Sequence, residues 1–134
     1  MERWKEVFNG MIPQDVYQVI AINGEEKGLI LKLKSHYHCI ILSFGMIQAI
    51  RMLDEGIVQT ELYDNEEIAR LRKSDFRNVI YEVQGGQFEK EMKKIAGGYW
   101  DALEIKHYVV ITQNFNIDIL TEWEPEIKFE DIEM

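Results

Sequence analysis

The sequence predicts an α+β domain: a mainly antiparallel, twisted sheet or open sandwich of roughly six to eight strands, with two or three short helices. Short segments that alternate apolar and polar residues, such as residues 29–34, are typical of half-buried strands. Two later segments place apolar residues at helical spacing. Asn-Gly and Gly-Gly pairs separate many of these segments, as expected of turns between short elements.

The first third of the chain predicts one helix and then strands. Trp4, Val7 and Phe8 would share one face of a helix. The strand predicted at 15–23 has apolar side chains on both faces, which indicates a position inside a sheet. A hairpin turn at 23–28 joins this strand to the next, and Gly45 interrupts the third strand as a bulge. The predicted elements are a helix at 2–9 and strands at 15–23, 29–34 and 36–44.

Residues 46–53 fit two structures. Met46, Ile47, Ile50 and Leu53 would form a helical face, whereas the β-branched residues and the short gap after Phe44 favour a strand. We favour the strand. A further strand is predicted at 57–63.

The rest of the chain predicts two helices set between strands. Acidic residues begin the first helix, and Phe88, Met92 and Ile95 form the apolar stripe of the second. The predicted elements are helices at 65–73 and 87–96 and strands at 78–83, 107–112 and 117–123. Residues 1–134 are expected to form a single domain, with an acidic tail at 128–134.

Composition and charge narrow the function classes. The 134 residues carry a formal charge of −9, which disfavours a nucleic-acid partner because phosphate backbones repel such a surface. No run approaches the roughly 20 apolar residues of a membrane span, and the first residues do not form a secretory signal. With one cysteine, Cys39, an internal disulfide is excluded and a reducing compartment fits. We therefore expect a cytoplasmic protein with no membrane partner.

Clustered acids and tryptophans near element ends indicate a partner-binding surface. Acidic side chains can steer a basic partner, while tryptophan is enriched at the centre of protein interfaces. The alternative is that the acids only solvate the domain. The predicted partner-binding residues are Asp54, Glu55, Glu61, Asp64, Glu66, Trp100 and Trp123.

The three histidines are the alternative site. His36 and His38 would share one face of a strand, and His107 could approach them through folding, which would give a metal- or small-ligand-binding domain or an enzyme. Cys39 lies in an apolar run and is expected to be a buried, unreactive thiol. Arg51 is expected to pair with Asp54, Glu55 or Glu122. We expect no catalytic residue and no cofactor.

Several blocks of sequence resemble a group of small acidic, mostly uncharacterised bacterial proteins. The blocks are Phe44-Gly45, residues 51–56, residues 75–83, residues 106–112, residues 117–120 and residues 125–127. Some proteins of this group are similar to immunity proteins, which neutralise a toxin from the same or a neighbouring cell. The resemblance implies a fold and a class of function, and no active-site residue.

These observations together predict a non-enzymatic binding protein of the immunity type. It would occlude a basic toxin domain, such as a nuclease, through an acidic surface edged by aromatic residues. A third possibility is a homo-oligomeric structural protein, for example a homodimer paired through an exposed strand edge.

Overall fold

The computed structural model describes residues 3–25, 28–54 and 79–130. Nine strands and one helical segment lie within these ranges. The strands are β1 (Arg3–Glu6), β2 (Gln18–Glu25), β3 (Gly28–Lys34), β4 (Cys39–Gly45), β5 (Ala49–Asp54), β6 (Ile80–Gln84), β7 (Lys106–Ile111), β8 (Phe115–Thr121) and β9 (Glu126–Glu130). The helix α1 (Gln87–Ala96) continues into a 3-10 turn (Gly97–Ala102).

The strands form two antiparallel sheets. Sheet A has the order β1-β6-β7-β8-β5, and sheet B has the order β2-β3-β4-β9. Consecutive strands are neighbours at the β2–β3, β3–β4, β6–β7 and β7–β8 connections. None of the helices in the described ranges is long and apolar enough to cross a bilayer.

The main core lies between the two sheets. Every second residue of each inner strand points into it, as the two-residue period of a strand requires. Leu31 and Leu42 of sheet B meet Tyr108 and Ile119 of sheet A in one continuous cluster of buried residues. Each such buried aliphatic side chain contributes about 1.5–3 kcal/mol through the removal of apolar surface from water.

Helix α1 covers part of the opposite face of sheet A. Phe88 of the helix and Trp100 of the 3-10 turn pack on Leu120 of β8 and form a second, smaller core. Sheet A is therefore covered on both sides at β8, which explains why β8 is buried along nearly its whole length.

The predicted α+β class with two or three helices is wrong. The protein is mostly β, with two antiparallel sheets and one helical segment in the described part of the chain. Residues 2–9 account for part of the error. Trp4 is buried in strand β1, which pairs with β6, and its ring lies 5.7 Å from that of Tyr81. Both a short strand and a helical turn can bury Trp4, so the spacing of apolar residues alone does not distinguish the two structures.

Three further predictions need correction. Among the described strands, β2 lies at the edge of its sheet and not inside it, and a register shift between Val19 and Ala21 leaves Ile20 exposed. β4 begins at Cys39 and not at residue 36, because the Ser35 hydroxyl accepts the backbone N–H groups of Tyr37 and His38 and closes a turn. Residues 128–130, assigned to the acidic tail, belong to β9, which pairs with β4; residues 131–134 lie outside the described ranges.

Other predictions are confirmed. The β2–β3 hairpin, the strand at β5 and the helix at 87–96 are present. A bulge accompanies Gly45, because β3 pairs Leu29 with Gly45 and the next residue, Ile30, with Ser43. The strand predicted at 57–63 and the helix predicted at 65–73 lie outside the described residues.

Gly28 is predicted to be essential for the stability of sheet B. Its backbone has φ +99°, and a Cβ atom there would overlap the backbone of Gly45 on the neighbouring strand. We expect Gly28→Ala to lower the free energy of unfolding by about 2–4 kcal/mol through backbone strain and overpacking. Urea denaturation followed by circular dichroism measures the change.

Gly24→Ala is the matched control for this prediction. Gly24 lies in the same hairpin, and a Cβ atom there would have no heavy atom within 4 Å. Its free energy of unfolding should change by less than about 1 kcal/mol. Equal losses in the two variants would show that the close approach of Gly28 to Gly45 does not constrain the sheet.

Candidate functional site

A buried ionic network joins three adjacent strands of sheet A. Asp118 of β8 is fully buried. One of its oxygens, Oδ1, lies 2.7 Å from Nε2 of His107 on β7. The other, Oδ2, accepts hydrogen bonds from Arg51 of β5, at 3.0 Å from Nε and 2.9 Å from Nη2. The Arg51 guanidinium also lies 4.8 Å from the centre of the Phe88 ring, which ties helix α1 to the network.

A histidine held by a buried aspartate is also the arrangement that orients a general base. Here the other ring nitrogen, Nδ1, is buried and has no hydrogen-bond partner among the described residues. The backbone of Gly86 lies against it, since a Cβ on Gly86 would be 2.9 Å from Nδ1. His107 also lines a cleft of about 320 Å³, together with Gln84 and Glu89. The geometry of the network fits a structural role, which is to fix the register of β5, β7 and β8.

The structure does not bring the three histidines together. His36 and His38 lie in the turn between β3 and β4 of sheet B. His107 lies on the face of sheet A that packs against α1, with its ring 6.0 Å from that of Phe88. Within the described ranges, no group of three or more histidine, cysteine, aspartate or glutamate residues could hold a metal ion. The three histidines therefore do not form one metal site in the described part of the chain.

The strongest candidate site is an acidic cleft of about 440 Å³ at the β1 edge of sheet A. It is lined by Lys5, Glu6, Val7, Phe8, Asn9, Glu82, Tyr108 and Glu124. We call these residues the acidic cleft. The acidic residues come from three separate parts of the chain: the end of β1, the middle of β6 and the segment after β8. Glu6 pairs with Tyr81, so its side chain lies on the face opposite to that of Glu82. With three acids and one lysine, the lining carries a formal charge of −2.

Strand register explains how the cleft forms. Lys5 pairs with Glu82, and Glu82 pairs with Tyr108, so the three side chains share one face across β1, β6 and β7. This is the face that forms the core between the sheets, where Tyr108 packs 6.0 Å from Phe44. Glu82, near the edge, is only half buried and faces the cleft.

Phe8 shapes the floor of the cleft. It has φ +58°, which is uncommon for a residue with a bulky side chain. Its carbonyl oxygen accepts a hydrogen bond from the N–H of Met11, at 3.0 Å, so the chain turns back directly after β1. The turn places the Phe8 ring 6.1 Å from the Tyr108 ring. The cleft thus combines negative charge at its rim with two aromatic rings.

The electrostatics of the cleft act on Tyr108. Burial raises the pKa of its phenol well above the usual value, and the negative charges of Glu82 and Glu124 raise it further. An added positive charge in the cleft would be attracted by the same carboxylates. Two lysines near the cleft partly offset its negative charge. Lys106 lies 3.4 Å from Glu124 in an exposed ion pair, and Lys5 lines the cleft.

The three predicted partner-binding residues that the structure describes, Asp54, Trp100 and Trp123, are not brought together. Asp54 is exposed at the end of β5, beside Phe115. Trp123 is 59% exposed and follows the opposite end of β8, whereas Trp100 is buried under α1. Arg51 pairs with Asp118 and not with the acids expected from the sequence. The remaining residues, Glu55, Glu61, Asp64 and Glu66, lie outside the described ranges.

Glu6, Glu82 and Glu124 are not among the partner-binding residues predicted from the sequence, whereas Trp123, which precedes Glu124 in the chain, is. Glu6 was missed because residues 2–9 were interpreted as a helix. Glu82 carried a usable signal, since a single carboxylate within the apolar run Ile80-Tyr81-Glu82-Val83 is unusual in a strand covered on both faces. Glu124 lies in the acid-rich last part of the sequence, but its position on the same cleft as Glu82 depends on the order of strands in sheet A.

Comparisons with known proteins do not extend this account. No family model matches the chain, and no curated protein or solved structure is significantly similar to it.

The buried network should contribute far more to stability than an exposed ion pair of the same length. Asp118→Asn removes the charge that balances Arg51, which is mostly buried, so we expect a loss of about 3 kcal/mol or more in the free energy of unfolding. The matched control is Glu130→Gln, which breaks the exposed Lys32–Glu130 pair, also 2.7 Å long, and should cost less than about 1 kcal/mol. Chemical denaturation at pH 7 compares the two variants. Similar losses in both would contradict a structural role for the network.

Proposed function

We propose that this protein is a non-enzymatic, cytoplasmic binding protein that occludes a basic protein partner through the acidic cleft and its surroundings. Its class would be that of immunity proteins, and the partner a basic toxin domain. The observation that carries this proposal is that Glu82 and Glu124 line one cleft with Tyr108, and that the exposed Trp123 directly precedes Glu124 in the chain. The sequence resemblance described above supports the choice of class.

The composition of this surface suits capture of a basic protein. Carboxylates raise the rate of encounter with a partner of opposite charge, and the chain as a whole carries a charge of −9. A large exposed indole, such as that of Trp123, is the kind of anchor that often dominates binding energy. Trp123 is held in place at its backbone, because its N–H donates to the Thr121 hydroxyl at 3.3 Å.

A charge-reversed cleft is expected to lose the partner. Affinity purification from the native host at 0.15 M salt should recover one basic protein in a 1:1 complex with the wild type. The double variant Glu82→Lys, Glu124→Lys should reduce its recovery at least about 10-fold, because like charges across an interface repel and slow association. Co-expression should restore growth to cells that produce the captured protein, if it is a toxin.

Two variants locate the surface. Asp101→Lys changes an exposed acid in the 3-10 turn and should leave recovery unchanged. Asp54→Lys tests the patch that was predicted from the sequence at the end of β5. Loss of the partner with Asp54→Lys alone would move the interface away from the cleft. Recovery of no basic protein by the wild type would contradict the proposed function.

Self-association is a second candidate, favoured by edge strand β2. Ile20 and Ile22 are 48% and 43% exposed on this strand, which pairs only with β3 among the described strands. Light scattering at increasing protein concentration should then show a dimer that Ile20→Lys disrupts. A monomer at all concentrations would exclude this candidate.

A further inference from the structure

We propose that the acidic cleft is the subsite that receives the guanidinium group of an arginine side chain from the basic protein partner. The inference rests on the proposed function and makes it more specific. It names the side chain that is recognised and the groups that recognise it, which are the Glu82 and Glu124 carboxylates, the Tyr108 hydroxyl and the Phe8 ring.

The Tyr108 hydroxyl is the first reason. Tyr108 is 1% exposed, yet it lines the cleft. Burial and two nearby carboxylates act on its phenol, and no hydrogen bond to the hydroxyl is found among the described residues. The hydroxyl oxygen is not among the fully buried polar atoms without a partner, so it is open to the cleft, where a ligand can donate a hydrogen bond to it. Because Tyr108 is fixed between the sheets, its hydroxyl is already in place before binding.

The arrangement of the carboxylates is the second reason. Glu82 and Glu124 come from different parts of the fold, and within the described residues no group of three or more histidine, cysteine, aspartate or glutamate side chains could hold a metal ion. Carboxylates that are spread around a cleft suit a wider cation with several donors. A guanidinium group has five N–H donors in one plane and can bond to two carboxylates and a hydroxyl at the same time.

The aromatic rings are the third reason, and they favour arginine over lysine. Phe8 and Tyr108 both line the cleft. A guanidinium group is weakly hydrated and stacks on aromatic faces, whereas an ammonium group is compact and strongly hydrated.

The lysines near the cleft do not prevent a further cation from binding there. Lys106 pairs with Glu124 at 3.4 Å, and both side chains are well exposed. An exposed pair of this kind contributes less than about 1 kcal/mol, so a better-placed cation can displace it. Lys5 is exposed beside Glu82 on the edge strand and can turn its ammonium group to solvent.

The test uses two blocked peptides, one with four arginines separated by glycines and one with lysines in their place. Titration calorimetry with the whole protein at 0.15 M salt should show that the arginine peptide binds at least about 5-fold more tightly than the lysine peptide. Tyr108→Phe should weaken binding of the arginine peptide about 3- to 10-fold, which corresponds to one lost hydrogen bond, and should change lysine binding little.

A charge-matched pair of variants separates the cleft from general attraction. Glu82→Gln and Asp101→Asn each remove one negative charge, but only Glu82 lines the cleft. Glu82→Gln should weaken arginine binding at least about 5-fold, and Asp101→Asn less than about 2-fold. Both positions tolerate polar side chains at the surface, so this comparison stays valid if Tyr108→Phe fails to fold.

The outcomes distinguish the inference from the function on which it rests. Equal affinity for the two peptides, or equal effects of Glu82→Gln and Asp101→Asn, would overturn the arginine subsite while leaving a general acidic surface. The arginine subsite would also be overturned if the wild type captured a basic partner and neither Tyr108→Phe nor Glu82→Gln reduced that capture. Failure of the wild type to bind any basic peptide or protein would overturn both.

Discussion

The fully buried carboxylate of Asp118 is the interaction on which the arrangement of sheet A depends. It binds Arg51 of β5 and His107 of β7 from the strand between them, so it fixes two strand pairs at once. A one-residue slip of either strand would move a charged or imidazole group into the apolar core between the sheets. Helix α1 adds Phe88 to the same network and covers it.

This network also determines where the acidic cleft can form. Because His107 points to the helix side of sheet A, its neighbour Tyr108 must point to the opposite side. There the ring enters the core while its hydroxyl end reaches the cleft between Glu82 and Glu124. The chemistry of the cleft is therefore coupled to a buried ion pair on the other face of the sheet. Variants of Asp118 that shift the register would change the cleft without touching it.

The sequence predicted local elements better than their assembly. Residues 29–34 alternate in the two-residue period of a strand, and they form β3. Phe88 and Met92 have the spacing of one helix face, and they lie in α1. Both patterns arise within a single element. Trp4 shows the limit, because its burial comes from pairing between β1 and β6, which are far apart in the chain. The same applies to Lys128, which looked like part of a solvated tail and lies in β9. Long-range pairing has no local signal.

The sequence indicated a type of surface but not the residues of the candidate site. A negative chain with exposed indoles indicated an acidic, aromatic surface, and Trp123 is indeed exposed. The members of the cleft could not be chosen, because Glu82 and Glu124 line one cleft only through the order of strands in sheet A. Trp100 was chosen by residue type and is buried, since its indole fills the small core under α1. Residue type alone does not distinguish an anchor for a partner from a core side chain.

Hydrogen exchange with and without a saturating arginine peptide tests the central claim most directly, since it needs no substitution. Our account predicts slower exchange of the backbone amides at residues 7–11 and 122–125, which border the cleft, and unchanged exchange in the turn at residues 35–38 on sheet B. Protection at residues 35–38 or 49–54, with none beside the cleft, would contradict it.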